Sequence, residues 1–214
     1  MSIAVISEEI VKLGKELTDK GLVNGTGGNI SVRSGDIVVS TPSGWSLGEL
    51  KTESLSVTNL YGVVLSGEKP TKELPMHLAV YHSRHDLQAV VHTHSIYAVT
   101  YSCMAEVNSC IPIYIPSIVI KVGPVKLIPF ALPGSAELGE LVGKEIKHVN
   151  GLLLENHGVL STGKTLAQAG IGAYEIEDNL KVGFLSNQKA RTISEDLIEK
   201  ILFTYGGVKK WGRR

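Results

Sequence analysis

Cysteine is nearly absent from this chain. Cys103 and Cys110 are the only two in 214 residues. A pair this sparse makes no disulfide framework, and it fits a reducing, cytoplasmic setting in which both thiols are structural. An excess of either charge is also absent. Lys plus Arg and Asp plus Glu each number 21, so the formal net charge is zero. No basic field exists to hold nucleic acid, and no basic amphipathic run suggests a membrane surface. Long apolar runs are missing as well. "MSIAVISEEI" meets Glu8 and Glu9 before any such run develops, which predicts neither a signal peptide nor a membrane span. Repeats, low-complexity tracts and linkers do not occur, so residues 1–214 read as one domain around one core. These absences together predict a soluble intracellular protein.

Helical and extended patterns alternate along the chain. Ser7 before Glu8 and Glu9 reads as a helix start, with Ile10, Val11, Leu13 and Leu17 as its apolar stripe and Gly21 as its stop. "GTGGNISV" and "DIVVSTPSG" form a hairpin around "RSGD". A helix follows Pro70 through "KELPMHLAVYHSR", with Pro75 tolerated in its first turn. After the strand "AVVHTHS" come a helix near "IYAVTYSCM" and the extended stretches "IPIYI" and "VKLIPF". "SAELGELVGKEIKHV" is helical by pattern, and "GLLLENHGVLSTG" is strand, tight turn and strand. The longest helix starts near Thr165, with Leu166, Ala169, Ala173, Ile176 and Leu180 at helical spacing. Ser194 with Glu195 opens the last helix, which ends at "TYGG". Hairpins interspersed with helices predict an α/β chain of the α+β type, with a mixed or antiparallel sheet flanked by helices.

The chemistry concentrates in "LQAVVHTHS", residues 87–95, where an apolar strand ends on His92 and His94. Residues i and i+2 of a strand share a face, so both imidazoles aim at one spot. A single histidine there would be unremarkable, but two converging rings suggest a metal, because neutral imidazole is a common ligand. "GLLLENHG" repeats the pattern with His157 beside a glycine. If its strand neighbours "AVVHTHS", three imidazoles form a zinc-type site with an open position. Glu73, in the first turn of its helix, is the candidate catalytic carboxylate, although a helix-start glutamate is common. His77, His82, His85 and His148 fall on expected helices and read as ordinary surface or core-edge residues. Three turns of small, hydroxyl- or amide-bearing residues suit an anion: "GTGGN" (25–29), "TPSG" (41–44) and "PTK" (70–72).

In the order "GTGGN…TPSG…PTKE…MH…Y…HTH…ENHG" the chain resembles the class II aldolase/adducin family from about residue 7 to residue 206. The resemblance implies a single-domain, mainly antiparallel central sheet between helical layers. It implies one Zn2+ per subunit, held by His92, His94 and His157, with Glu73 as the acid/base that also touches the metal. Gly28, Asn29, Ser43, Gly44, Thr71 and Lys72 fall where the family holds a substrate phosphate and nearby oxygens. A homotetramer with intersubunit sites is implied, in which Tyr205 of "TYG" acts on a neighbour's site. Two departures from the fuculose-phosphate aldolase branch stand out. Thr71 and Lys72 replace two serines before the glutamate. A family tyrosine aligns with Ser117, leaving Tyr114 displaced by three. "PTKE", "TPSGWSLGEL" and "IKVGPVKLIPF" instead resemble the branch of decarboxylases acting on 3-oxo-tetronate 4-phosphates.

Both branches break a carbon–carbon bond beside a carbonyl and leave an enediolate, which a Lewis acid stabilises. If the departing fragment is an aldehyde, a base must take a hydroxyl proton. If it is carbon dioxide, an acid must protonate the enediolate, and Glu73 suits either direction. Dihydroxyacetone phosphate is the product of both. Lys72 favours the decarboxylase, because an added cation suits a substrate carboxylate. The family resemblance also admits an epimerase or a dehydratase. A cupin metalloprotein would require an almost all-β chain, and an adducin-like interaction module would have no use for three metal-spaced histidines.

Overall fold

Seven helices and eight strands alternate along the chain in the computed structural model, which describes residues 2–187 and 189–205. Helix α1 (Ile3–Asp19) begins earlier than Ser7. Ser2 caps it by accepting from the Val5 amide, and Ser7 lies buried within it. Ile6 extends the apolar stripe of Ile10, Leu13 and Leu17 one turn backwards, so the helix forms wherever that stripe can be buried. Gly21, at φ +73°, follows the helix as expected.

Strands β1 (Asn29–Ser34) and β2 (Ile37–Ser40) form the expected hairpin. Strands β3 (Ser56–Asn59) and β4 (Val64–Ser66) extend the sheet beyond it. β4 is exposed along its length, so no alternation marked it in the sequence. Helix α2 (Leu74–Ser83) has Glu73 at its N-cap rather than in its first turn. Strand β5 (Ala89–Thr93) and helix α3 (Ile96–Ser102) follow. The "IPIYI" stretch is extended but joins no strand ladder, and it leads into helix α4 (Pro116–Lys121), which the sequence pattern did not reveal. Then come β6 (Val125–Ile128), α5 (Ala136–Glu145), β7 (Gly151–Leu154), β8 (Gly158–Gly163), α6 (Leu166–Leu185) and α7 (Glu195–Tyr205). His85 and His148 lie in exposed turns after α2 and α5 rather than on helices.

The strands make one sheet in the order β4-β3-β2-β1-β5-β8-β7-β6. Every pairing is antiparallel except β6 with β7. Side chains alternate between two helical layers, as the period of a strand requires. Val38, Val90, Ile128, Leu152, Leu154 and Leu160 pack under α2 and α5. Ile30, Val32, Val39, Ala89 and Val91 pack under α1 and α6 on the opposite face. Beside them, Leu127, Leu153 and Val159 pack with α3, α4, α6 and α7. No helix among the described residues is long and apolar enough to cross a membrane.

This strand order sets the site. β5 lies between β1 and β8, with Asn29 opposite His92 and Thr93 opposite Val159. The C-terminal end of β5, the start of β1 and the β7–β8 turn therefore meet at one end of the sheet. Gly28 lies at that meeting point with φ +77°, and an added Cβ would come within 2.8 Å of the His92 carbonyl oxygen. Only glycine satisfies both conditions there.

Candidate metal centre

His92 is the last but one residue of β5 and points to the α2 face; His94 follows just beyond the strand, and His157 sits in the β7–β8 turn. Asn156, at φ +52°, takes the left-handed conformation that asparagine tolerates and so delivers His157 to the site. The α2 N-cap adds Glu73. One ligand atom from each of these four residues lies within 4.8 Å of the others. His92 Nε2 is 2.9 Å from His94 Nε2 and 3.2 Å from Glu73 Oε2, and His157 Nε2 is 3.3 Å from Glu73 Oε1.

Burial decides the charge of these groups. It pushes the His92 imidazole down to about 3, helped by the neighbouring His157 and His94 and opposed by Glu73. It lowers His94 and His157 as well. At neutral pH the rings are uncharged and offer lone pairs. Burial alone pushes the Glu73 carboxyl up, but His92, the Asn29 hydrogen bond, His157 and His77 outweigh it and hold Glu73 below the ordinary carboxylate value. His92 Nδ1 donates to the Val159 carbonyl at 2.8 Å, which leaves Nε2 as its lone-pair nitrogen.

That lone pair faces the His94 Nε2 and a Glu73 carboxylate oxygen. The His92 lone pair and the carboxylate repel each other unless a cation lies among the atoms. Ligand atoms about 3.3 Å apart are what a tetrahedral ion with bonds of roughly 2.0–2.1 Å requires. Glu73 Oε1 is buried and has no hydrogen-bond partner among the described residues, so it too has its acceptor capacity unspent. The four residues fit a divalent metal.

Supporting groups fix the ligands. Glu177 on α6 accepts from the Tyr97 and Ala98 amides at 3.0 and 2.9 Å, capping the start of α3 directly after His94. Gly158 allows β8 to pass close by: a Cβ there would lie 2.4 Å from the Thr93 carbonyl oxygen and 3.0 Å from the His94 ring.

The anion-type turns converge on the same end of the sheet. Pro42 bridges Pro70, and the Ser43 and Thr71 amides bond to the Lys69 and Thr41 carbonyls. These bonds join "TPSG" to "PTK", and Thr41 ties both to β1 through Ile30. The Ser43 and Thr71 N–H groups are thereby spent, whereas those of Gly28, Gly44 and Lys72 take no backbone acceptor among the described residues. Thr71 Oγ1 accepts from the Glu73 amide. The Lys72 side chain is exposed and makes no ion pair among the described residues.

Other residues singled out in the sequence lie outside this four-residue cluster. Tyr205 is 71% exposed at the end of α7, in the layer opposite α2. Ser117 donates to Glu175, which also takes Lys121. The Tyr114 ring packs against Gly183. His77 needs a correction: it is fully buried rather than ordinary, and it bonds to Asn29 and Ser31. Its neighbour Asn29 in turn donates to Glu73 Oε2 at 2.8 Å. Burial pushes His77 down to about 4, against the pull of Glu73.

Comparison with known proteins agrees with this geometry. The model of the class II aldolase and adducin N-terminal domain matches residues 8–183. A 3-oxo-tetronate 4-phosphate decarboxylase of Pectobacterium atrosepticum is 37% identical over 197 residues, 90% of each chain. An L-fuculose phosphate aldolase of Methanococcus maripaludis is 35% identical over 84% of this chain and 96% of that protein. The crystal structure of YgbL from Klebsiella pneumoniae superposes with a TM-score of 0.89 at 33% identity, over 94% of this chain and 99% of that one. Fold, metal-type cluster and similarity over most of the length therefore agree: this chain belongs to the class II aldolase and adducin N-terminal domain family.

Proposed function

We propose that this chain is a zinc-dependent carbon–carbon lyase that decarboxylates a 3-oxo-tetronate 4-phosphate to dihydroxyacetone phosphate. The observation that carries this reading is the converging set of one carboxylate and three neutral imidazoles, buried or half-buried, beside three anion-type turns. His92, His94 and His157 would hold the ion, with Glu73 as a further ligand. When bound, a divalent ion supplies Lewis-acid stabilisation of the negative charge that develops beside a carbonyl as the adjacent carbon–carbon bond breaks.

The chain's own residues do the rest. Gly28, Gly44 and Lys72 offer backbone N–H groups, and Ser43 and Thr71 offer hydroxyls, to a phosphate and neighbouring oxygens. Asn29 places its amide nitrogen at the same end of the sheet. Glu73 moves the proton. Its Oε2 is held by Asn29, and Oε1, without a hydrogen-bond partner among the described residues, is the oxygen that takes a proton from solvent and passes it to the carbon that loses carbon dioxide. Lys72 adds a cation next to Glu73, without an ion-pair partner among the described residues, which suits the carboxylate that departs.

The second reading is retro-aldol cleavage of a sugar phosphate of the L-fuculose 1-phosphate type. It is supported by the aldolase relative and by the same metal cluster. An adducin-like interaction module is disfavoured, since a converging four-residue ligand set serves no docking purpose. We place the enzyme in the cytoplasm, in keeping with two cysteines that form no disulfide. It acts as a homotetramer in which Tyr205 completes a neighbour's site.

Incubating the zinc-loaded protein with a 3-oxo-tetronate 4-phosphate and with L-fuculose 1-phosphate, and measuring dihydroxyacetone phosphate, tests the reading. The expected result is faster release from the oxo acid. Release from the sugar phosphate alone moves the chain to the aldolase, and release from neither contradicts the lyase.

A further inference from the structure

Behind Glu73 lies a row of polar side chains that the proposed chemistry leaves unused. Glu73, His77 and Tyr81 fall four residues apart on one side of α2, and Asn29 and Ser31 fall two apart on the face of β1 beneath it. Four residues of helix rise about 6 Å and two of strand about 6.6 Å, so the two series stay in step. All five residues are buried, and His77 and Tyr81 are completely so. The hydrogen bonds run without a gap: Tyr81 to Ser31 at 2.7 Å, Ser31 to His77 Nδ1 at 2.7 Å, His77 Nε2 to Asn29 Oδ1, and Asn29 Nδ2 to Glu73 Oε2 at 2.8 Å.

The donor directions follow from one end. A carboxylate only accepts, so Asn29 turns its NH2 group towards Glu73 and its carbonyl oxygen towards His77. His77 must then carry its proton on Nε2. In the neutral ring Nδ1 is an acceptor, which Ser31 fills with its hydroxyl proton, and Tyr81 donates to Ser31. No member can reverse without leaving a buried group unpaired.

We propose that His77 is a positioning residue: through the Asn29 amide it fixes the orientation of the Glu73 carboxylate towards the three histidines. Ser31 and Tyr81 hold His77 in the required tautomer. This inference rests on the reading of Glu73 as a metal ligand, and not on the reaction catalysed.

Zn2+ affinity, measured by competition with a chromogenic chelator, tests it on wild type, His77→Gln and His77→Asn. A glutamine amide nitrogen reaches the position of Nε2 and can still donate to Asn29, whereas an asparagine reaches only that of Nδ1. His77→Asn should weaken Zn2+ binding by about 10- to 100-fold, and His77→Gln should remain within about threefold of wild type. Equal affinities for the two variants, whether both weakened or both unchanged, would overturn the proposal. Thermal melting checks that each variant is folded. If His77→Asn is not, Ser31→Ala carries the test, with about fivefold weaker binding expected and a change below about twofold overturning the proposal. The readout needs no substrate. A protein that shows this pattern but turns over neither phosphate contradicts the lyase reading and supports the role of His77.

Discussion

Lys72 stands next to Glu73, exposed and with no carboxylate partner among the described residues. Its role separates the two reactions. If it meets a substrate carboxylate, Lys72→Ser removes a charge-assisted hydrogen bond worth about 1.5–3 kcal/mol. The value of kcat/KM for a 3-oxo acid phosphate then falls roughly tenfold to hundredfold, while that for a neutral-headed ketose phosphate changes little. A parallel fall for both substrates would place Lys72 on the phosphate instead. Gly158 supports a second expectation at this scale. A methyl group there lies 2.4 Å from the Thr93 carbonyl oxygen and within 3.1 Å of both the His92 and His94 rings. Gly158→Ala should therefore lower the melting temperature by an overpacking cost of about 1–3 kcal/mol and weaken Zn2+ binding. Unchanged affinity by chelator competition would mean that β8 relaxes without moving the ligands. The metal-type residues were legible in the sequence because strand period and strand ends are local properties: His92, His94 and His157 needed only the neighbouring of two strands. His77 was not legible. It shares α2 with the buried Leu74, Met76, Val80 and Tyr81, so no contrast of faces marks it, and its partners lie on a strand far away in sequence.

At the scale of elements, the site depends on α2 lying over β1 in register. The spacing Glu73, His77, Tyr81 against Asn29, Ser31 is visible once the two elements are known to touch. Burying His77 has a consequence for stability. Its ordinary value of 6.5 falls to about 4 in the folded chain, with burial as the largest cause. Between these values the unfolded chain binds a proton that the folded chain refuses, so stability rises with pH and is lost as pH falls below about 6.5. At pH 5 the loss attributable to His77 is about 2 kcal/mol relative to pH 7.5. Metal-free wild type should thus lose more stability than metal-free His77→Gln over that interval, by denaturant melts at both pH values. Equal losses would show that His77 does not drive the dependence. Element boundaries were less legible than element types. α1 began a turn early because Ile6 could be buried, and β4 and α4 lacked any periodic signal to announce them.

For the whole molecule, the order β1-β5-β8-β7 brings residues from distant parts of the chain to one end of the sheet. Hairpins between helices made a mainly antiparallel sheet legible, whereas the strand order was not, because local pattern carries no information on which strands meet. The proposed assembly adds a test of its own. Tyr205 is exposed at the end of α7, in the layer opposite α2. Mixing inactive Glu73→Gln subunits with inactive Tyr205→Phe subunits should restore part of the activity through hybrid sites. Absence of recovery despite demonstrated subunit exchange would confine each site to one chain or make Tyr205 dispensable.

The central claim is that one divalent ion binds where β5, the β7–β8 turn and the α2 N-cap converge. Its most direct test is metal stoichiometry, measured by elemental analysis after loading with Zn2+ and desalting. Wild type should retain one ion per chain, and His92→Ala, His94→Ala and His157→Ala should each lose most of it together with nearly all activity. A variant carrying all three substitutions that still held a full equivalent of zinc at this site would contradict the account.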